Sequence, residues 1–240
     1  KHASMYTMVQ HFDRNSKAAG FLLEKEIEHL GNLLDKPARP FVALMGGAKV
    51  SDKIGALHKL IDKVDRVLVG GAMAYTFLAA KGEHVGESLV EEGRLDDARD
   101  ILQRARRKGI DLLLPTDHVI ADAIDAEAAD TTTTNSVTIP DGKMGLDIGP
   151  QTIEAYRAAI LDAQTIFWNG PMGVFEREPF AEGTFSMARA LADTDAPVVQ
   201  TNTVCPRRTI RPTRRAATAW TTTATASSTR QTAAGNAGSR

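Results

Sequence analysis

The sequence predicts an open α/β sheet, with helices on both faces of parallel strands. Three observations support this. Short apolar runs such as FVALM (41–45), RVLV (66–69) and TIFW (165–168) recur along the chain. They alternate with stretches of helical periodicity, and three of them end in glycine-bearing loops: MGGAK, VGGAM and WNGPMG. Strands apolar on nearly every residue are buried on both faces, and helices between them provide the parallel crossovers.

Taken in order, residues 17–34 place Phe21, Leu22, Ile27, Leu30, Leu33 and Leu34 mostly on one stripe, which predicts a helix ended by Pro37 and Pro40. FVALM then predicts a buried strand, and Ser51 to Lys63 a helix with Ile54, Leu57, Leu60 and Ile61 inward. RVLV predicts the next strand, and AMAYTFLAAKG a helix stopped by Gly82. A helix over about 92–108 follows, then strand candidates DLLLP and HVIAD. TTTTNS (131–136) reads as a polar loop with no assigned function. Helices over 150–163 and 179–192 flank the strand TIFW, and APVV (196–199) closes the series. The expected fold is therefore Rossmann-like: three layers, with ligands outside the carboxyl ends of the strands, where loops and helix N-termini gather.

Composition sets the outer limits. At 240 residues, with 42% hydrophobic and 25% charged content, the chain is long enough for a sizeable core. No apolar run approaches the roughly 20 residues of a membrane span, and KHASMYTMVQ has neither a signal core nor an initiating Met. The expectation is a cytoplasmic chain that starts mid-sequence. A single cysteine, Cys205, excludes an internal disulfide framework and fits a reducing compartment. No histidine has metal-ligand spacing to another His or Cys, so no metal residues are assigned.

Charge is unevenly distributed. Residues 201–240 hold seven arginines and no Lys, Asp or Glu; against a chain total of −1, the first 200 residues carry about −8. Arg104, Arg106, Arg107 and Lys108 close a helix, where cations complement its dipole, and this favours a structural role over nucleic-acid binding.

The glycine loops are where chemistry is expected. Gly46-Gly47-Ala48-Lys49 directly after a strand lets backbone approach a phosphate, and Lys49 and Lys53, read as one helical turn apart, could neutralise it. The alternative is a tight turn followed by two solvated lysines. It is not a Walker A loop, which requires a longer glycine spacing and a Lys-Ser/Thr pair. Gly70-Gly71-Ala72 could let a flat base lie on backbone, or could serve helix–strand packing. Asn169-Gly170-Pro171-Met172-Gly173 fixes an exposed loop whose amides could face a ligand, with Glu176 placed either for ribose hydroxyls or as a surface carboxylate. Trp168 is expected in the core.

Together these segments resemble the phosphoglycerate kinase family. FVALMGGAKVSDKI is similar to its nucleotide lysine loop, and VLVGGAMAYTFL, IPDGKMGLDIGP and IFWNGPMGVFE to its adenine and ribose segments. KHAS and AAGFLLEKEIEHL resemble the end of its His-Arg-x-His segment and the helix joining its two lobes. The resemblance implies one lobe of a two-lobe kinase: 1–16 as remnant of an N-terminal lobe, 17–36 as interdomain helix, 37–200 as nucleotide lobe, and 201–240 as a tail expected to be disordered. It further implies that Lys49 and Lys53 contact the phosphates and the transferred group. Gly47, Ala48, Gly70, Gly71, Gly145 and Leu146 would enclose the nucleotide and its adenine, and Asn169, Pro171, Gly173, Val174 and Glu176 would line it and hold the ribose. The family reaction is 1,3-bisphosphoglycerate and ADP to 3-phosphoglycerate and ATP, using Mg-ADP or Mg-ATP in a monomeric enzyme.

Several departures qualify the resemblance. Lys143 stands where the family often has Trp, and Ala72 where it often has a third Gly. The chain begins past the family's glycerate-binding arginines, with His2 alone remaining of that segment. After PVV it reads QTNTVCPRRT, without the family's glycine-rich loop and metal-binding aspartate. The expectation is a chain that binds nucleotide weakly, turns over poorly if at all, and exposes an apolar sheet edge. A shifted reading frame would explain the composition of 201–240. The alternative is a non-enzymatic nucleotide-binding module with a basic nucleic-acid-binding tail, whose affinity would fall steeply with salt.

Overall fold

The structure, a computed structural model, describes residue 11 and residues 36–201, of which Gln200 and Thr201 are described as backbone only. Among the described residues, strands β1 (Phe41–Met45), β2 (Arg66–Val69), β3 (Asp111–Leu113), β7 (Thr165–Asn169) and β8 (Val198–Thr201) form a parallel sheet in the order β3-β2-β1-β7-β8. The chain builds outward from β1 to β3 and then returns to the other side of β1, so the strand order reverses between β1 and β7. That reversal opens a crevice at the carboxyl ends.

Every residue of β1 is fully buried, because successive side chains face different helical layers. Phe41, Ala43 and Met45 join Val67 and Val69 against α1 (Ile54–Leu60), α2 (Met73–Ala80) and α3 (Leu95–Lys108). Val42 and Leu44 join Leu68, Ile166 and Trp168 against α4 (Pro150–Leu161) and α5 (Glu182–Asp193). The three-layer expectation holds, and Trp168 is core, 1% exposed.

A second sheet departs from the sequence reading. β4 (His118–Ala121) pairs antiparallel with β5 (Thr132–Thr133) and β6 (Met144–Ile148), in the order β5-β4-β6. HVIAD is thus a strand but not part of the parallel sheet. The polar loop TTTTNS contributes a short edge strand, and MGLDI, read only as a ligand segment, is the sheet's other edge.

The helix expected over Ser51–Lys63 is shorter, Ile54–Leu60, because residues 50–53 form a turn closed by the Lys53 and Ile54 amides on the Val50 carbonyl (2.9 and 2.8 Å). The basic end of α3 is structural: Arg104 and Lys108 both pair with Asp62 (2.6 and 2.7 Å), tying α3 to the chain just beyond α1. The helix expected over 17–34, the segment 1–16 apart from residue 11, and the tail beyond Thr201 lie outside the described residues. Among the described residues no helix is long and apolar enough to cross a membrane.

Candidate functional site

The strand register brings the three glycine loops together. Met45, the last residue of β1, stands opposite Val69 of β2 and Asn169 of β7. The three strands therefore end level, and their loops interlock through backbone. The Gly47 amide donates to the Pro171 carbonyl (3.0 Å), the Gly71 amide to the Met172 carbonyl (2.7 Å) and the Met73 amide to the Gly47 carbonyl (2.9 Å). Gly71 has φ +65°, and a Cβ there would meet the Gly47 amide nitrogen at 2.6 Å, so the loops approach this closely only because Gly71 lacks a side chain. Trp168 fixes the third loop from below, its Nε1–H donating to the Gly170 carbonyl (2.7 Å).

Above the interlocked loops lies a cleft of about 540 Å³. Gly47, Ala48, Gly71, Gly145, Leu146, Pro171, Gly173, Val174 and Glu176, all expected site residues, line it. Gly145 and Leu146 come from β6, so the second sheet supplies a wall that the sequence reading placed without recognising its strand. Val174 is anchored to this wall, its amide donating to the Leu146 carbonyl (2.9 Å).

Four expected residues stand outside this lining. Gly70 lies beneath it, packed against Met172, where a Cβ would meet Sδ at 2.5 Å. Lys49, Lys53 and Asn169 sit beyond the Gly47 side, where Lys53 Nζ donates to Asn169 Oδ1. The Lys53 chain passes Gly47 closely enough that a Cβ there would stand 3.7 Å from its Cε. The two lysines do not share a helical face: Lys49 is exposed in the loop and Lys53 precedes α1. Burial pulls the Lys53 ammonium below its usual pKa, partly countered by Asp52. A half-buried cation of this kind gains from an anionic ligand.

Sequence reasoning missed Glu87, Leu89, Ile124 and Met144 as lining, whereas Ala72, read with Gly70 and Gly71 as a surface for a flat base, does line the cleft. Leu89 and Ile124 are 55% and 52% exposed, two of the exposed large apolar side chains among the described residues. They belong to loops flanking the small sheet, and no local pattern marks them. Together with Leu146 and Met144 they make one end of the cleft apolar, while the lysines make the other end cationic. An apolar slot between flexible aliphatic side chains suits a flat ring, and a narrow floor of glycine turns beside ammonium groups lets phosphates approach positive charge closely.

A family model described as phosphoglycerate kinase matches residues 1–214. The phosphoglycerate kinase of Anaeromyxobacter dehalogenans is 57% identical over 198 residues, covering 82% of this chain and 49% of that protein. That of Clostridium botulinum is 51% identical over 179 residues, covering 75% and 45%. Among solved structures, phosphoglycerate kinase from Coxiella burnetii superposes with a TM-score of 0.73 at 42% identity, covering 76% of this chain and 47% of that one. The enzyme from Pyrococcus horikoshii gives 0.65 at 32%, covering 76% and 46%. The chain spans about half the length of the curated relatives it matches.

Proposed function

The chain belongs to the phosphoglycerate kinase family, and on that premise we propose that its cleft is the nucleotide side of a phosphotransferase moving a phosphoryl group between 1,3-bisphosphoglycerate and ADP. The observation that carries the reading is the polarity across the cleft: apolar walls at one end, interlocked glycine turns in the middle, and Lys53 just beyond Gly47 at the other.

On this reading the adenine lies between Leu89 and Ile124 and the Gly145-Leu146 wall, with Gly71 and Ala72 beneath it. Glu176 accepts hydrogen bonds from the ribose, and the phosphates run over Gly47 and Ala48 toward Lys49 and Lys53. Phosphoryl transfer involves little covalent work by the protein, so positioning and charge neutralisation provide most of the acceleration. Lys53, already partly desolvated and oriented by Asn169, is placed for that neutralisation at low reorganisation cost. Lys49, exposed, adds mobile positive charge. Magnesium enters with the nucleotide, as part of the substrate.

Calorimetric titration of the full chain with Mg-ADP tests the proposal. Binding is expected, and Lys53→Ala and Lys49→Ala are each expected to weaken it by roughly 10- to 100-fold, the cost of one lost charge-assisted contact. Lys49→Ala is the cleaner variant, since an exposed side chain contributes little to folding. Absence of binding, or binding indifferent to both lysines, would sink the reading. Formation of ATP from 1,3-bisphosphoglycerate and ADP by the same chain tests the reaction itself.

A further inference from the structure

Asp147, near the centre of β6, is 1% exposed, and no part of the proposed chemistry uses it. Its Oδ2 accepts from the Gly183 amide (2.7 Å) in the first turn of α5, and its Oδ1 from its neighbour Ile148 (2.9 Å). Two glycines make room for this carboxylate. A Cβ on Gly173, in the cleft lining, or on Gly183 would each stand 2.2 Å from Oδ1. The carboxylate therefore lies between the third glycine loop and the start of α5, filling the space that side chains at both positions would occupy.

The contacts continue into the cleft. Thr184, next to Gly183, accepts from the Met172 amide through its Oγ1 (3.0 Å). The Met172 carbonyl in turn accepts from Gly71, and the Met172 side chain packs on Gly70 and Gly46. The neighbouring Leu146 carbonyl holds Val174. One carboxylate thus fixes the helix turn that holds the loop on which the other glycine turns rest.

We propose that Asp147 is a positioning residue for the cleft: its carboxyl group, by fixing the first turn of α5 through Gly183, holds the 170–174 loop in its binding geometry. Burial favours the protonated carboxyl in the closed arrangement, so ionisation strains the tie and favours an opened, hydrated loop. Burial, opposed by the two amide bonds and reinforced by the charge of Glu182, raises the Asp147 pKa to about 7, so both states are reached under mild conditions. The groups facing it are Glu182 on α5 and Tyr75 on α2, while Val119 of β4 stands opposite in register beside His118. Burial holds Tyr75 protonated and lowers His118 to about 4, so neither changes charge between pH 6 and 8.

Amide hydrogen exchange on the full chain tests this without assuming any ligand. After correction for the intrinsic pH dependence of exchange, wild-type amides in 172–174 and 183–184 are expected to open about fivefold more readily at pH 8 than at pH 6, within the roughly tenfold that one group titrating at about 7 can supply over that range. Amides of β1 should not change. In Asp147→Asn the loop should open as in the acid form at both pH values. Thr184→Val should loosen 171–174 while leaving the pH response of 183 intact, which keeps the test available if the Asn variant does not fold. Loop exchange that ignores pH in the wild type, or is unaltered in Asp147→Asn, overturns the proposal. A second arm rests on the nucleotide reading: affinity for adenosine, which carries no titrating phosphate, should fall about fivefold from pH 6 to pH 8 in the wild type and stay flat in Asp147→Asn. Expected exchange without any adenosine or Mg-ADP binding would uphold the positioning role and discard the nucleotide reading.

Discussion

Glu91 holds the lysine-bearing turn from a distant part of the chain: its Oε2 accepts from the Ser51 amide (3.0 Å) and its Oε1 from the Ser51 hydroxyl (2.7 Å). Its own amide donates to Thr76 Oγ1 (3.1 Å), which links the turn to α2. Burial pushes the Glu91 carboxyl up, but the bonds from Ser51 and Val50 outweigh it and leave the group below its usual 4.5. Glu91→Ala is expected to lower stability by about 1–2 kcal/mol, as a shift in the urea midpoint at constant slope, because the Ser51 and Val50 donors lose a charged acceptor. It should also weaken Mg-ADP binding, since Lys49 and Lys53 flank the turn it holds. Glu91 was invisible in the sequence, where it is one carboxylate before an expected helix. The glycines were legible because each follows an apolar strand, so local pattern and ligand geometry coincide. Leu89, Ile124 and Asp147 matter through residues far away in the chain, and no spacing rule reports that.

Helix α4 shows the same dependence at the level of an element. It opens at Gly149-Pro150, a start that the sequence marked clearly, yet Gly149 has no side chain to cap it. Asp117 supplies the cap from the loop before β4: Oδ2 accepts from the Gln151 amide (2.8 Å), and Oδ1 from the Thr152 amide (2.8 Å) and hydroxyl (2.5 Å). The Gly149 amide also donates to the Asp117 carbonyl (2.9 Å). Asp117→Ala is expected to cost about 2–3 kcal/mol, since three donors, two of them buried, lose their acceptor, measured by denaturant unfolding. Asp117→Asn keeps the shape and one acceptor oxygen, so it should recover part of the loss. The parallel strands were legible because β1 and β7 are apolar throughout and their helices amphipathic. The small sheet was not, for physical reasons. β5 has two exposed threonines, β6 carries a glycine and a buried aspartate within five residues, and β4 adopts antiparallel pairing that only its partners determine.

At the scale of the whole molecule, two buried ionisable groups sit where the small sheet meets the helical layers. His118 of β4 packs against Tyr75 of α2, with ring centroids 5.4 Å apart, and its Nε2 lies 3.2 Å from the Val137 carbonyl. Asp147 of β6 ties to α5 through the Gly183 amide. Burial lowers His118 from 6.5 to about 4 and raises Asp147 from 3.8 to about 7. The signs of their linkage to folding are opposite. A histidine depressed in the fold contributes stability that is complete above its unfolded value of 6.5 and lost as pH falls toward 4. An aspartate raised in the fold contributes most below 3.8, and that contribution is lost as pH rises toward 7. Between about 4 and 6.5 the unfolded chain carries one proton on His118 and the folded chain one on Asp147, so the pair binds equal numbers of protons in both states. Their joint contribution to the pH slope of stability is therefore near zero in that window, although each alone would approach about 1.4 kcal/mol per pH unit. Single variants should separate the two. His118→Gln leaves Asp147 alone, so stability relative to wild type should fall as pH rises from 4.5 to 6.5; Asp147→Asn leaves His118 alone, and its relative stability should fall as pH drops across the same range. Urea unfolding of the three proteins at half-unit steps would show it as midpoint differences that change in opposite directions. Parallel profiles for all three proteins would mean that the two sites do not take up protons on folding and unfolding as their burial requires.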